Sequence, residues 1–464
     1  MAIATSVLER LAADLAAALG PDRVSAAEAV RAQHASGESY HPPAAPDLVA
    51  FPGSIEDVVA VVDLCRSLGV PIVPFGAGTS LEGHVAALRG GVCLDMTRMN
   101  RILRLDLEDM DVSVEAGVTR KQLEARLRPE GVFFPVDPGA NATVGGMVAT
   151  GASGTTAVRY GTMRENVLSL TVVTAQGHVV HTRSRARKSS AGYDLTRLFV
   201  GSEGTLGVVV EATLRIQPTP EAIAAAVCSF PTLEHAVTCV IRTIQLGVPV
   251  ARIELLDDVQ MDAVNRRSGL AYPVLPTLFL EFHGSPAGVA EQSEEVKAIA
   301  AELGGGDFDW ATSETDRRRL WEARHASYEA ALALRPGAQG YVTDVCVPIS
   351  RLAECVAEAR AEIDAAGLVA PIVGHAGDGN FHVCFLVDPA DPGELETVKE
   401  LADRIARRAI ALGGTCTGEH GVGYGKAGRL ELEHGAEGVE LMRAIKAALD
   451  PDGLMNPGKI LPRE

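Results

Sequence analysis

Residues 137–161 constrain this chain more than any other stretch, because they are dense in glycine, alanine, threonine and serine and show no apolar period. Such composition reads as loop, yet an unstructured connection of that length is uncommon inside a compact domain unless it holds something. Two further small-residue segments accompany it: Gly76-Ala77-Gly78-Thr79-Ser80-Leu81-Glu82-Gly83, which follows a strand, and Gly201-Ser202-Glu203-Gly204-Thr205-Leu206-Gly207. Small residues let backbone N–H groups approach an anion closely. The first segment fails G-x-G-x-x-G at Leu81 and the P-loop pattern at His84, which disfavours NAD on a Rossmann fold and ATP on a P-loop. One such segment alone reads as a tight turn. Three of them suit a long dinucleotide.

The rest of the composition narrows the class. At 464 residues and 47% hydrophobic content the chain is expected to divide into at least two globular domains. A net charge of −18 repels phosphate backbones and anionic lipid surfaces, so no nucleic acid is expected, and a small anionic substrate needs locally placed cations. The eight cysteines are dispersed without a Cys-x-x-Cys pair and read as reduced, buried thiols. The N-terminus reads as an amphipathic helix rather than a signal or transit peptide, and no apolar run reaches the roughly 18 residues of a membrane span. The expectation is a cytoplasmic protein without a transmembrane segment, peripheral to a membrane at most through a partner.

Periodicity then orders the elements. Ser54 and Asp57 open a helix that runs to Gly69, strands are expected at Val70–Pro74, Val92–Asp95 and Val112–Ala116, and Thr119 with Gln122 caps another helix. A hairpin flanks Gln176-Gly177, and a β-branched strand from Gly207 to Ile216 ends at Pro218 and Pro220, where a domain boundary is expected. Beyond it, strand-like runs at Ala224–Phe230, Thr277–Phe282, Tyr341–Val347, Val369–Gly374 and Phe381–Val387 alternate with helical patterns at 286–303 and 350–366, which implies an antiparallel α+β substrate domain. The expected division is a helical segment 1–44, a first domain 45–220, a substrate domain 221–412, and a segment 413–464 that returns to the first domain.

The strongest local chemistry lies in Gly374-His375-Ala376-Gly377-Asp378-Gly379-Asn380-Phe381-His382. Asp378-Gly379 is a preferred type I′ turn, and counting outward from it pairs His375 with His382. Directly opposed residues stand roughly 5 Å apart at Cβ, close enough for two imidazoles to share one metal ion. Glu419 in Gly418-Glu419-His420-Gly421 offers the carboxylate of a two-His, one-carboxylate set, and His420 remains as a candidate base. A lone loop histidine is most often only hydrogen-bonded, whereas an opposed pair is less easily explained that way. His84, His181, His283 and His325 have no such support. Arg324 sits on an amphipathic helical pattern, where arginine is usually a solvated face residue, and composition does not say which arginine would bind an anionic substrate.

Five ordered motifs, from Leu320-Trp321-Glu322-Ala323-Arg324-His325 through Tyr341-Val342-Thr343-Asp344-Val345-Cys346-Val347-Pro348, the double-His segment and Gly414–Gly421 to Asn456-Pro457-Gly458-Lys459, resemble the FAD-binding vanillyl-alcohol-oxidase family. The likeness is to its FAD-linked oxidase branch of D-2-hydroxy acid dehydrogenases and covers nearly the whole chain. It implies an α+β architecture: a two-part PCMH-type FAD-binding domain, an antiparallel α/β cap domain for substrate, and a C-terminus returning to the FAD domain. Pro74, Gly76, Ala77, Gly78, Thr79 and Ser80 are implied around the pyrophosphate. Pro138, Gly139, Thr143, Gly145, Gly146, Gly151, Ser153, Gly154 and Tyr160 are implied along the cofactor, Glu203, Gly204, Gly207 and Val208 near the adenosine portion, and Asn456 near the flavin. Thr79 stands where some relatives carry a flavin-linking histidine, so the FAD is expected to be non-covalent.

The resemblance further implies that His375, His382 and Glu419 bind a divalent metal (zinc, manganese or iron), that His420 takes the hydroxyl proton, and that Arg324 binds the substrate carboxylate. Related D-2-hydroxyglutarate enzymes place a Lys and an Asn near what are Val342 and Cys384 here, which favours a monocarboxylate such as D-lactate, oxidised to pyruvate. Electrons would pass to a separate acceptor such as a cytochrome, a quinone or an electron-transfer flavoprotein, with a homodimer left open. The competing readings are a D-2-hydroxyglutarate or glycolate dehydrogenase, a metal-dependent hydrolase without flavin, and a non-catalytic flavoprotein subunit.

Overall fold

The computed structural model describes residues 3–311 and 313–462, so Met1 and Ala2 of the expected N-terminal helix lie outside the described residues. The chain forms two compact units: residues 1–153, 161–218 and 419–464 make the first, and residues 154–160 with 219–418 the second.

In the first unit, helix Thr5–Leu19 buries Leu11, Leu15 and Leu19, one apolar stripe at the 3.6-residue period. Helix Ile55–Leu68 starts where Ser54 Oγ accepts the Asp57 N–H and stops at Gly69, whose φ of +64° is the left-handed cap that glycine takes without a Cβ clash. Val58, Val61, Val62 and Cys65 pack it onto a four-stranded sheet in the order Val24–Ser25, Leu48–Ala50, Val92–Asp95, Ile72–Phe75, parallel except at its first pair. A five-stranded antiparallel sheet follows, ordered Ile102–Asp106, Asp111–Glu115, Val208–Arg215, Val167–Val173, Val179–His181. Met455 joins the core beside the first sheet, where Ile72 donates to the Leu454 carbonyl and accepts from the Asn456 N–H.

The expectation of loop throughout 137–161 does not hold, because helices Val144–Thr150 and Ala157–Tyr160 occupy part of it. Gly145 and Gly146 weaken helix propensity and hide the first of these from a propensity reading. Tertiary contact supplies what propensity lacks: a Cβ at Gly145 would stand 2.7 Å from that of Ala116, so only glycine lets this helix approach.

The second unit is an antiparallel sheet ordered Asp309–Ala311, Ala222–Ser229, Thr277–Gly284, Arg252–Leu256, Ile372–Gly374, Asn380–Val387, Gln339–Val342, with Val345–Cys346 also pairing Asn380–Val387. The expected single strand Tyr341–Val347 is broken at Thr343 and Asp344. Thr343 binds Val383 through both its N–H and its hydroxyl, and Asp344 takes the side-chain amide of Asn380. The expected two-residue turn at Asp378-Gly379 is also absent. A 3-10 turn, Ala376–Asp378, closes on Gly379 at φ +80°, and Val373, not His375, lies opposite His382. The longer turn is fixed by space, since a Cβ at Gly379 would meet the Val347 carbonyl at 2.1 Å.

Candidate active site

The three small-residue segments converge in the first unit. A Cβ at Gly76 would stand 2.2 Å from Thr143 Oγ1, and one at Gly204, itself at φ +71°, would stand 2.9 Å from Pro74. Gly201 donates to the Val148 carbonyl at 2.9 Å, and Glu203 donates to the Ala149 carbonyl at 2.8 Å. Thr143 Oγ1 accepts the Gly146 N–H and caps helix Val144–Thr150. Among the described residues Ser80 Oγ is buried without a hydrogen-bond partner. An unmet buried hydroxyl costs roughly 1–3 kcal/mol, which a phosphate oxygen at that position would offset. A cradle of this kind, lined by backbone and with one unmet donor, fits a dinucleotide pyrophosphate.

Other expected cofactor residues have local explanations. Gly151 is the left-handed cap of its helix at φ +66°, Gly207 packs where a Cβ would meet Val172 at 2.8 Å, and Val208 is buried in its strand. A Cβ at Gly139 would meet nothing, so no crowding demands glycine there. Asn456 is 2% exposed at φ +41°. Its amide donates to the carbonyls of His84 at 3.1 Å and Glu203 at 2.7 Å, so the carboxamide ties the returning C-terminus to the residue after Gly83 and to the segment 201–207. Gly154 and Tyr160 fall in the second unit, where the Tyr160 hydroxyl bonds His283 Nδ1 at 2.8 Å.

One face of the second unit's sheet carries a polar cluster. The period of two and the register place Arg252 and Glu254 beside Glu281, and His382 and Cys384 beside Val342, all on the face covered by helix Glu314–His325. Arg324 is not solvated as its pattern suggests: it is 7% exposed, its Nη2 pairs with Glu254, and its Nε has no hydrogen-bond partner among the described residues. The same Glu254 accepts His375 Nδ1 at 2.9 Å. Burial alone would raise this carboxyl, but His375 and Arg324 outweigh it and hold Glu254 below the usual range. His382 Nδ1 lies 3.2 Å from the Thr343 carbonyl, and the two imidazole centroids are 5.5 Å apart. A carboxylate on one Nδ1 and a carbonyl on the other make Nε2 the basic nitrogen of both rings, the tautomer a metal-binding histidine needs.

Glu254 and Asp344 were not singled out by sequence. The one available signal for Glu254 was an acid among the apolar Ile253, Leu255 and Leu256 of a strand. Beside it, Arg252 lies 3.4 Å from Glu281, Trp321 Nε1 donates to Glu281, and His283 Nε2 bonds Glu281 at 2.8 Å. Burial lifts the Glu281 carboxyl, but Arg252, His283 and the Trp321 N–H bring it down to about 2. Val342 and Cys384 are direct cross-strand partners beside His382, an apolar pair. Glu419 and His420 follow Gly418, where the chain passes from the second unit into the first.

A cradle for a dinucleotide and a buried cluster of imidazole, guanidinium and carboxylate define a class, the flavin-dependent oxidoreductases of PCMH type. Residues 46–183 match the FAD binding domain family and residues 219–460 the family of FAD linked oxidases, C-terminal domain, and the chain belongs to the FAD-linked oxidases. It is 52% identical to a probable mitochondrial D-lactate dehydrogenase of Danio rerio, over 98% of this chain and 93% of that one. It is 48% identical to the mitochondrial D-lactate dehydrogenase [cytochrome] of Arabidopsis thaliana, over 90% and 74%. A glycolate oxidase subunit of Bacillus subtilis is 33% identical over 96% and 95%. Among solved structures, p-cresol methylhydroxylase has the same fold, with a TM-score of 0.83 at 18% identity over 99% of this chain and 97% of that one. No helix among the described residues is long and apolar enough to cross a membrane.

Proposed function

We propose that this enzyme oxidises a D-2-hydroxy monocarboxylate, D-lactate to pyruvate, and passes the electrons to a separate acceptor. The observation that carries the reading is the buried Arg324, with Nη2 on Glu254 and an Nε that has no partner among the described residues, in a cluster whose neighbouring strand pair is the apolar Val342 and Cys384. A buried donor without a partner is costly, and an incoming carboxylate relieves it. Relatives at 40–52% identity named D-lactate dehydrogenase support the substrate, and the name cytochrome on several of them favours a cytochrome over a quinone or flavoprotein acceptor.

Arg324 orients the substrate by its carboxylate, and His420 takes the hydroxyl proton as the Cα–H bond breaks. Bound FAD supplies the two-electron acceptor for the hydride leaving Cα. His375, His382 and Glu419 are the residues that would hold a divalent metal, whose Lewis acidity would favour the ionised hydroxyl; zinc, manganese and iron all suit that donor set. Glu254 holds His375 in its ligating tautomer while it neutralises Arg324. The FAD is read as dissociable and as lying along residues 74–80, 138–154 and 203–208, within a domain of residues 45–220 completed by 413–464. The substrate domain is read as residues 221–412.

The visible spectrum of the purified protein, recorded anaerobically before and after D-lactate with L-lactate and D-2-hydroxyglutarate in parallel, tests this. Selective bleaching by D-lactate is expected. Bleaching by D-2-hydroxyglutarate or glycolate instead would move the substrate, and the glycolate oxidase relative makes glycolate the second candidate.

A further inference from the structure

Two buried carboxylates of the first unit, used by no step above, grip the segment that follows His420. Glu203 accepts the Val422 N–H at 2.6 Å and the Gly423 N–H at 2.8 Å through its two carboxylate oxygens. The Glu82 carbonyl accepts the N–H groups of Tyr424 at 3.1 Å and Gly425 at 3.3 Å, while its carboxylate pairs with Lys426 at 3.1 Å and lies 3.6 Å from His41. Glu82, Lys426 and Glu203 are 4%, 3% and 5% exposed. Polar groups so far from water are costly unless they are fully engaged, and the segment supplies partners to both carboxylates, alongside His84 at 3.3 Å from Glu203 and His41 at 3.6 Å from Glu82.

The fit leaves no slack. A Cβ at Gly421 would stand 2.8 Å from Glu203 Oε1, one at Gly423 would stand 1.9 Å from the Glu82 carbonyl, and one at Gly425 would stand 2.6 Å from Glu82 Oε2. Glu203 itself is held at φ +52°, a left-handed backbone that a non-glycine residue keeps only when its surroundings impose it. Burial would raise the Glu82 carboxyl, but Lys426, His41 and His420 bring it down to about 2, so Glu82 stays charged at neutral pH.

We propose that Glu203 and the Glu82–Lys426 pair are positioning residues for His420, fixing residues 421–426 so that the imidazole just before them is preorganised for proton abstraction. Two charge-assisted hydrogen bonds into adjacent backbone N–H groups hold a loop more firmly than neutral ones. Misplacing a reacting group by about 1 Å costs on the order of a hundredfold in rate. The inference rests on the reading of His420 as the base.

The test uses the FAD-loaded full chain and anaerobic single-turnover reduction by D-lactate. Glu203→Gln keeps the shape but turns one acceptor into a donor facing an N–H, and Lys426→Met removes the charge that holds Glu82. With the protein saturated with FAD, both are expected to slow flavin reduction by roughly 10- to 100-fold at saturating D-lactate, and Lys426→Arg is expected to recover most of the rate. In a His420→Ala background Glu203→Gln is expected to slow the residual rate no further, because its effect passes through the imidazole. Full-rate reduction in Glu203→Gln and Lys426→Met at full FAD occupancy overturns the proposal, as does an equal loss with and without His420. If Glu203→Gln does not fold, the Lys426→Met and Lys426→Arg pair decides the question. Wild-type reduction in His420→Ala alone would fault the base assignment rather than the grip.

Discussion

At the scale of single residues, Glu254 joins His375 and Arg324, because one buried carboxylate serves both His375 Nδ1 and the Arg324 guanidinium. Glu254→Gln keeps the volume and one accepting oxygen but removes the charge. It is expected to weaken metal affinity by about 10- to 100-fold and to raise KM for D-lactate, read by chelator competition and steady-state kinetics. Unchanged metal affinity would strip Glu254 of the orienting role. Ser80 gives a prediction of opposite signs: Ser80→Ala removes an unmet buried hydroxyl, so the apoprotein is expected to gain stability while FAD binds on the order of tenfold more weakly. Thermal melting of the apoprotein and an FAD titration separate the two effects, and equal FAD affinity would remove Ser80 from the cradle.

At the scale of elements, the expected hairpin around Asp378-Gly379 shows what a local pattern can and cannot settle. Both histidines are brought together, but through a 3-10 turn that offsets the register. Turn preference knew the strand residues, not the Val347 carbonyl that crowds Gly379. The glycine-rich helix Val144–Thr150 depends similarly on its cap. Thr143→Ala is expected to cost about 1 kcal/mol, measured as a lower apoprotein melting temperature, and to leave the second unit's chemistry intact. The cross-strand pair Val342 and Cys384 predicts specificity: Val342→Lys is expected to shift the kcat/KM ratio toward D-2-hydroxyglutarate by on the order of tenfold against D-lactate. A ratio that does not move would place the selecting contacts elsewhere.

At the scale of the whole molecule, the buried acids set the pH limits. Glu82 and Glu281 ionise at about 2 in the folded chain against an ordinary value of 4.5. A depressed folded pKa gives stability that is present above 4.5 and is lost as pH falls through about 2, by up to about 3 kcal/mol for each group. Asp257 has the opposite sign: burial raises it to about 7 despite its bonds to Gln260 and Ile372 and its pairing with Arg360, so it erodes stability as pH rises from about 4 to 7. The melting temperature is therefore expected to fall steeply below pH 4.5, and Glu281→Gln to flatten that limb. An unaltered limb would show that Glu281 does not contribute to it. Motif order and composition, read from the sequence alone, determined the family and most strands, because these rest on local period, turn chemistry and residue type, and they picked out the small-residue segments and the two histidines as candidates. Only the tertiary structure decided that Arg324 is buried, that Glu254 holds it 70 residues away in sequence, and that Glu203 and Glu82 spend their charges on the loop after His420. Those contacts join residues far apart in sequence, and no local pattern encodes which buried charge meets which.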